Sequence, residues 1–289
     1  MKRVLVVYNP KSSKSKDVER VVLGPLRKKY ADLVEYQILP TNFDDNVAKI
    51  ARLLREDDVV ISAGGDGTAA IASNAILASK KPQIVIGYLG FGNFNDLARS
   101  FTGKKTSALQ LSRATKTVKL YPLDIIADQQ HFRFAILYAT LGLLAKSTLE
   151  FEKPHVRHHV KNSKINLIYS LLILIKFYFQ KRRFFKNQSD IIVMNGRRAG
   201  GILRTKCDYY ASETFKITTQ NLSKLPRLIL FVTKSFFGQM SGKTTTSKIF
   251  EFKRGANLDF QSEGEYFALK NIKELKIQKS TQFLNVITV

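Results

Sequence analysis

Cysteine is nearly missing from this chain of 289 residues: Cys207 stands alone. An intramolecular disulfide framework is therefore excluded, and a reducing, cytoplasmic setting is expected. Long apolar runs are missing too. No stretch reaches the roughly 18 uncharged apolar residues that a transmembrane helix needs. After Met1-Lys2-Arg3 only Val4-Leu5-Val6-Val7 is apolar, too little for the core of a secretory signal. Internal repeats and low-complexity linkers are likewise absent. Acidic residues are scarce: 23 Asp and Glu against 47 Lys and Arg give a net charge of +24. The shortage is sharpest between Lys153 and Lys206, where thirteen Lys or Arg meet the single acid Asp190. Such a field favours a polyanionic partner, either nucleic acid or an anionic membrane surface. General basicity of the source proteome is the bland alternative.

What is present is ordinary for a folded protein. Apolar residues make up 44% and charged residues 24%, and the length suits two domains. The most informative stretch is Val59-Val60-Ile61-Ser62-Ala63-Gly64-Gly65-Asp66-Gly67-Thr68. An apolar run reads as a buried parallel strand, three glycines surround one carboxylate, and the helix-compatible segment Ala69–Ala78 follows. Strand, glycine turn and helix together offer free backbone N–H groups and a helix dipole to an anion. Asp66 would repel a phosphate, so its sensible partner is a magnesium ion or a hydroxyl beside the phosphates. A plain glycine-rich turn with Asp66 as helix cap is the alternative.

In chain order, Arg3–Tyr8 reads as a strand, Asp17–Lys29 as a helix and Leu33–Leu39 as a strand. Asn42–Arg55 reads as a helix, Val59 begins the third strand, and Gln83–Tyr88 is a fourth. This βαβαβαβ order implies a doubly wound, mostly parallel sheet with ligands at the carboxyl ends of its strands. Asn9, Thr41, Gly65 and the loop Gly87–Asn95 all fall there. The fourth strand runs into Gly90-Phe91-Gly92-Asn93-Phe94-Asn95-Asp96-Leu97-Ala98-Arg99. That loop either closes a nucleotide site or lets Asn95-Asp96 cap the next helix.

Together, Gly64-Gly65-Asp66-Gly67-Thr68 and the later Gly92-x-x-Asn95-Asp96-Leu97-Ala98-Arg99 resemble the diacylglycerol kinase catalytic domain family. That family includes bacterial lipid kinases and sphingosine kinases and is related in fold to NAD kinases. Asn9-Pro10-x-Ser12 resembles its first-strand loop and Thr41 its nucleotide-side threonine. Leu123-Asp124 resembles the acidic opening of its second domain. Ala139-Thr140-Leu141-Gly142 is similar to its small-residue turn, Lys164–Tyr169 to the start of its second-domain helix, and Ser262-Glu263-Gly264-Glu265 to its Asp-Gly-Glu. The resemblance implies ATP and Mg2+ as cofactors and a lipid hydroxyl as acceptor. It implies nucleotide contacts from Asn9, Ser12, Thr41, Gly64, Gly65, Asp66, Gly67, Thr68, Asn93, Asn95 and Asp96. Asp66 and Asp124 become candidate metal ligands, with Asp66 and Glu263 in catalysis and Glu263 as the base. Several positions depart from the family pattern. Asn93 replaces a threonine, Ser13 a glycine, Ile71 a glutamate, and Glu263 an aspartate. Asn221–Arg227 carries no aspartate for the structural magnesium of bacterial members, so that site is not expected.

Beyond residue 120 the texture changes. Lys119–Ala127, Phe132–Tyr138, Ile191–Met194, Ile202–Thr205, Thr214–Thr218, Leu228–Thr233 and Ile249–Lys253 read as short strands of an antiparallel β-sandwich. The apolar run Ile165–Ile175 suits a helix buried on that sandwich. The basic-aromatic tract after it, with Phe177, Tyr178, Phe184 and Phe185, has the composition of an interfacial anchor on anionic lipid. His155-Val156-Arg157-His158-His159 lacks carboxylate or thiol company and reads as a solvated turn rather than a zinc site.

The expected protein has an α/β nucleotide-binding domain over 1–120 and a β-rich lipid-substrate domain over 121–289. Its last strand is a candidate to return to the first domain. The expected activity is an ATP-dependent lipid kinase acting at the cytoplasmic membrane surface. The expected partners are a lipid substrate and an anionic membrane, with no nucleic acid and a homodimer as a possibility. NAD kinase-like chemistry and a catalytically lapsed binding module are the alternatives.

Overall fold

The computed structural model describes residues 3–12, 14–40, 42–92, 95–103, 105–152, 172, 175–176, 179, 190–201, 203–222, 224–237 and 239–289. The chain forms two units, Met1–Pro122 with Ser280–Val289, and Leu123–Lys279.

The first unit carries a six-stranded sheet built from β1 (Val4–Tyr8), β2 (Leu33–Gln37), β3 (Val59–Gly64), β4 (Val85–Gly90), β5 (Thr117–Leu120) and β16 (Leu284–Ile287). The strand order is β2-β1-β3-β4-β16-β5. All neighbours are parallel except β5, which runs antiparallel to β16. Every residue of β1 and β3 is buried, as a parallel sheet covered on both faces requires. Winding reverses between β1 and β3, because β2 adds on one side of β1 and β4 on the far side of β3. In doubly wound sheets that reversal opens the ligand crevice. Helix α4 (Asp66–Ser79) leaves the end of β3 and is buried continuously from Thr68 to Leu77. Its alanine-rich surface lets it lie close to its neighbours.

The expected helix Asp17–Lys29 is divided into α1 (Ser15–Val18), a π-helical turn Glu19–Leu23 and α2 (Gly24–Arg27). Pro25 supplies the reason: it has no N–H to donate and its ring crowds the carbonyl one turn back, which widens the ladder. Helix α3 (Phe43–Leu53) starts as expected, with Asn42 Oδ1 accepting from the Asp45 N–H at 2.7 Å. Helices α5 (Asp96–Phe101) and α6 (Ala108–Arg113) complete the unit.

The second unit holds an eight-stranded, antiparallel sheet: β6 (Leu123–Ala127), β7 (Gln130–Ala135), β8 (Tyr138–Leu141), β9 (Asp190–Met194), β12 (Phe215–Gln220), β13 (Lys243–Ser247), β14 (Ile249–Ser262) and β15 (Glu265–Lys279). A two-stranded ribbon, β10 (Arg198–Ala199) and β11 (Leu203–Arg204), stands apart. The order is β13-β12-β9-β8-β14-β15-β6-β7. Phe215, Phe260, Leu275 and Ile277 lie in its core. Helices α7 (Leu143–Glu152) and α8 (Leu225–Phe236) accompany it. The fold class is thus the one expected, an α/β unit and a mainly antiparallel β unit.

Several local expectations need correction. Lys119–Ala127 is two strands, because Pro122 cannot donate to a ladder and marks the passage from one unit to the other. Phe132–Tyr138 is also two strands, interrupted at Ile136-Leu137. Leu228–Thr233 is not a strand but the middle of α8. Leu228 and Phe231, three apart, take its buried side, and this packing overrides the β preference of the run. Ile249–Lys253 is only the start of a long hairpin, β14–β15, and β13 was not anticipated. Of the Ile165–Phe185 tract only Leu172, Ile175, Lys176 and Phe179 are described. Lys164–Tyr169, Phe177, Tyr178, Phe184, Phe185 and the histidines 155–159 lie outside the described residues. Among the described residues no helix is long and apolar enough to cross a membrane.

At the amino ends of β1 and β3, Arg3 grips Asp58 with two hydrogen bonds of 2.7 and 2.5 Å, and Asp58 is 1% exposed. Removing one partner of such a pair strands a buried charge. Arg3→Ala should therefore lower the unfolding free energy by about 3 kcal/mol in urea titration. A loss under about 1 kcal/mol would contradict this reading.

Candidate functional site

The carboxyl ends of β1, β3 and β4 stand side by side: Tyr8 is level with Ala63, and Gly64 with Gly90. The glycine turn after β3 and the loop after β4 meet backbone to backbone. A Cβ added to Gly92 would lie 2.4 Å from the Gly65 Cα, a contact no side chain tolerates. A Cβ on Gly64 would strike the Thr68 hydroxyl at the same distance. Gly65 is the N-cap of α4, extended and without a side-chain cap. The first-turn N–H groups of a 14-residue helix therefore face the turn, with Gly65, Asp66 and Gly67 half-buried.

Asp66 occupies the first position of that helix. Its Oδ1 accepts from the Leu97 N–H at 3.2 Å, which ties α4 to the start of α5. Burial, and then the neighbouring Asp96 carboxylate, push the Asp66 carboxyl up to about 7; backbone N–H groups and Arg99 oppose this weakly. A half-buried and a buried carboxylate held side by side need a proton or a cation between them. This donor set fits magnesium, which takes one or two carboxylates and completes its shell with water and phosphate oxygens. Among the described residues no three His, Cys, Asp or Glu side chains converge, so phosphate or water would supply the remaining ligands.

The other residues named from the sequence divide by position. Asn9 Oδ1 accepts from the Lys11 N–H at 2.9 Å and its carbonyl from the Ser12 N–H at 3.1 Å, fixing the loop after β1. Thr68 is buried against Gly64. Asn95 precedes α5 in a left-handed conformation, φ +55°, and makes no capping bond. Instead its amide bridges Gly92, accepting from the N–H and donating to the carbonyl, each at 2.7 Å. Its side chain thus holds the second loop in shape. Thr41 and Asn93 lie outside the described residues.

Glu263 belongs to the second unit, at the tip of the β14–β15 hairpin. Glu263 and Gly264 have φ of +45° and +87°, as a two-residue type I′ turn demands. A glutamate is an uncommon occupant of that conformation. Its compensation is visible: Oε1 accepts from the N–H groups of Ile136, Leu137 and Tyr138 at 2.9, 2.7 and 3.0 Å. The side chain is 2% exposed. Sequence reasoning missed the rest of this network. Asn195 Nδ2 donates to the Ile136 carbonyl at 2.7 Å, and Lys279 donates to Asn195 Oδ1 and to the Tyr209 carbonyl. Burial pulls the Lys279 ammonium down to about 7. Nothing local in the sequence marks Asn195 and Lys279 as partners, since they are 84 residues apart. Asp124 sits on β6 in the same unit, with His131 Nδ1 2.6 Å from its Oδ1.

Residues 3–126 match the family described as the diacylglycerol kinase catalytic domain. The fold is similar to a solved diacylglycerol kinase from Bacillus anthracis str. Sterne, at 16% identity and a TM-score of 0.66, covering all of this chain and 97% of that one. A second structure from that organism, assigned as a diacylglycerol kinase, is similar at 16% identity and a TM-score of 0.68, covering all of this chain and 95% of that one. No curated protein matches the sequence.

The raised Asp66 carboxyl makes stability depend on pH in a definite direction. A carboxyl near 7 in the folded chain and near 4 when unfolded favours folding below about pH 4, and that stability is lost as pH rises through 7. Asp66→Asn removes the ionisation. In metal-free buffer the variant should gain on the parent by a few kcal/mol between pH 4 and pH 8 in urea unfolding. An unchanged difference across that range would contradict the buried carboxylate pair.

Proposed function

The chain carries, over residues 3–126, a domain of the diacylglycerol kinase catalytic domain family, and from that premise we propose an ATP-dependent lipid kinase. Its acceptor is the hydroxyl of diacylglycerol or a similar lipid, reached from the cytoplasmic face of the membrane. The observation that carries this reading is the Gly65–Gly92 contact, which sets a helix N-terminus beside the half-buried Asp66 and the buried Asp96 carboxylates at the switch point of a parallel sheet.

In this reading the N–H groups at the start of α4 donate to phosphate oxygens, and Lys11, Lys14 and Arg99 neutralise charge. Asn9 and Asn95 act through the loops they brace, while Ser12, Thr41 and Asn93 add polar contacts. Asp66 and Asp96 would hold magnesium, which when bound screens the phosphates from one another. Asp124 remains a candidate metal ligand. The acceptor oxygen bonds to the γ-phosphorus as the bridge to ADP breaks, and the hydroxyl proton passes to Glu263.

A second reading of Glu263 is favoured by its burial and its three amide partners: a strut for the 136–138 turn and no base at all. Ile71, which puts no carboxylate on α4 near Asp66, points the same way. Glu263→Gln separates the two, since glutamine keeps an oxygen for the amides. Transfer of labelled phosphate from ATP to a lipid panel should appear with the parent chain and fall about 10²–10⁴-fold in Glu263→Gln, with little change in melting temperature. Full turnover in that variant would leave Glu263 a strut. No labelled lipid from the parent would overturn the kinase reading itself.

A further inference from the structure

Among its described residues, helix α8 (Leu225–Phe236) shows one covered apolar face and one exposed apolar face. Leu228 and Phe231 are buried. At 100° per residue, Ile229 and Leu230 lie across the opposite arc with Leu225 at its edge, and Leu225, Ile229 and Leu230 are 37%, 53% and 50% exposed. Pro226 and Thr233 share that arc and are exposed as well. Arg227 and Lys234 border it on one side, and Lys224 stands at its start. Between Glu213 and Glu251 the sequence carries six Lys or Arg and no acid. An aliphatic surface edged by cations, in an acid-free segment of a strongly basic chain, is complementary to an anionic lipid surface. An acidic protein groove would match the charges, but an aliphatic arc facing solvent gains most by entering the headgroup and acyl boundary.

We infer that α8 is a membrane-seating element: Leu225, Ile229 and Leu230 dip below the headgroups, while Lys224, Arg227 and Lys234 engage anionic lipid. This rests on the lipid-kinase reading for its purpose but not for its evidence. It gives that reading an attachment point at which a lipid acceptor is met. The seat lies apart in sequence from the basic tract 153–189, so it can be altered alone.

The chain has no tryptophan, so one introduced residue reports its own surroundings. Leu230→Trp should shift its emission to the blue on adding phosphatidylglycerol vesicles, whereas Leu53→Trp, an exposed site on α3, should not. In sedimentation, the parent should bind phosphatidylglycerol vesicles and leave phosphatidylcholine vesicles largely free, with part of the binding surviving 1 M salt. The double variant Ile229→Ser, Leu230→Ser should lose the salt-resistant part, at least about tenfold, with an unchanged melting temperature. Unaltered binding by the double variant, or no shift at residue 230, overturns the inference. So does a parent dimer that the double variant converts to monomer with vesicle binding intact, since the arc then seats a second copy. Phosphate transfer to dihexanoylglycerol without vesicles tests the kinase reading separately. The double variant should retain that transfer, and its loss in the parent as well would fault the chemistry and not the seat.

Discussion

The close approach of Gly65 and Gly92 is the constraint on which the first unit depends. The two loops touch backbone to backbone because Gly92 has no Cβ to meet the Gly65 Cα, and a Cβ at Gly65 would itself sit tightly at 3.3 Å from the Gly92 Cα. The consequence is electrostatic as much as steric. With the loops in contact, the first turn of α4 and the first turn of α5 share one place, and Asp66 and Asp96 share it with them. The sheet contributes the rigidity. Buried parallel strands hold the loops, Asn9 and Asn95 spend their side chains on loop backbone, and the Arg3–Asp58 pair clamps the far ends of β1 and β3. A site that stores two carboxylates at the mouth of a helix is costly when empty of cations. That cost favours a proton or a cation between the two carboxylates.

The second unit solves a different problem. Its long hairpin ends in a glutamate held in a left-handed turn, and the strain is offset by three amide donors. Those amides would otherwise be orphaned at the break between β7 and β8, so carboxylate and chain break support each other. Asn195 and Lys279 extend the same network deeper. Asp190 shows the pattern again: its carboxylate accepts from the Leu143 and Leu222 amides, and burial pushes it up to about 7. Buried carboxylates here organise irregular backbone.

Much of the first unit was legible because its signals are local. Val4–Val7 and Val59–Ile61 are continuous apolar runs, Asn42 caps its own helix, and the glycines of 64–67 sit beside the helix they start. The second unit was harder because its information is distant. Leu228–Thr233 has a strand's composition, and only the packing of Leu228 and Phe231 makes it helical. Glu263 stood out as a carboxylate in a turn, yet the N–H groups that hold it lie about 125 residues earlier. The sequence around Asn95 suits a nucleotide contact or a helix cap, and the structure gives its amide to Gly92. Pro25 and Pro122 divided elements that periodicity had joined.

The central claim is that paired carboxylates at a helix N-terminus make a magnesium-dependent nucleotide site. Calorimetric titration of a non-hydrolysable ATP analogue, with and without magnesium, tests it most directly. Binding is expected in magnesium, with little without it, and the magnesium dependence is expected to be lost in the double variant Asp66→Asn, Asp96→Asn. Equal affinity with and without the ion, or no binding in either, would contradict it.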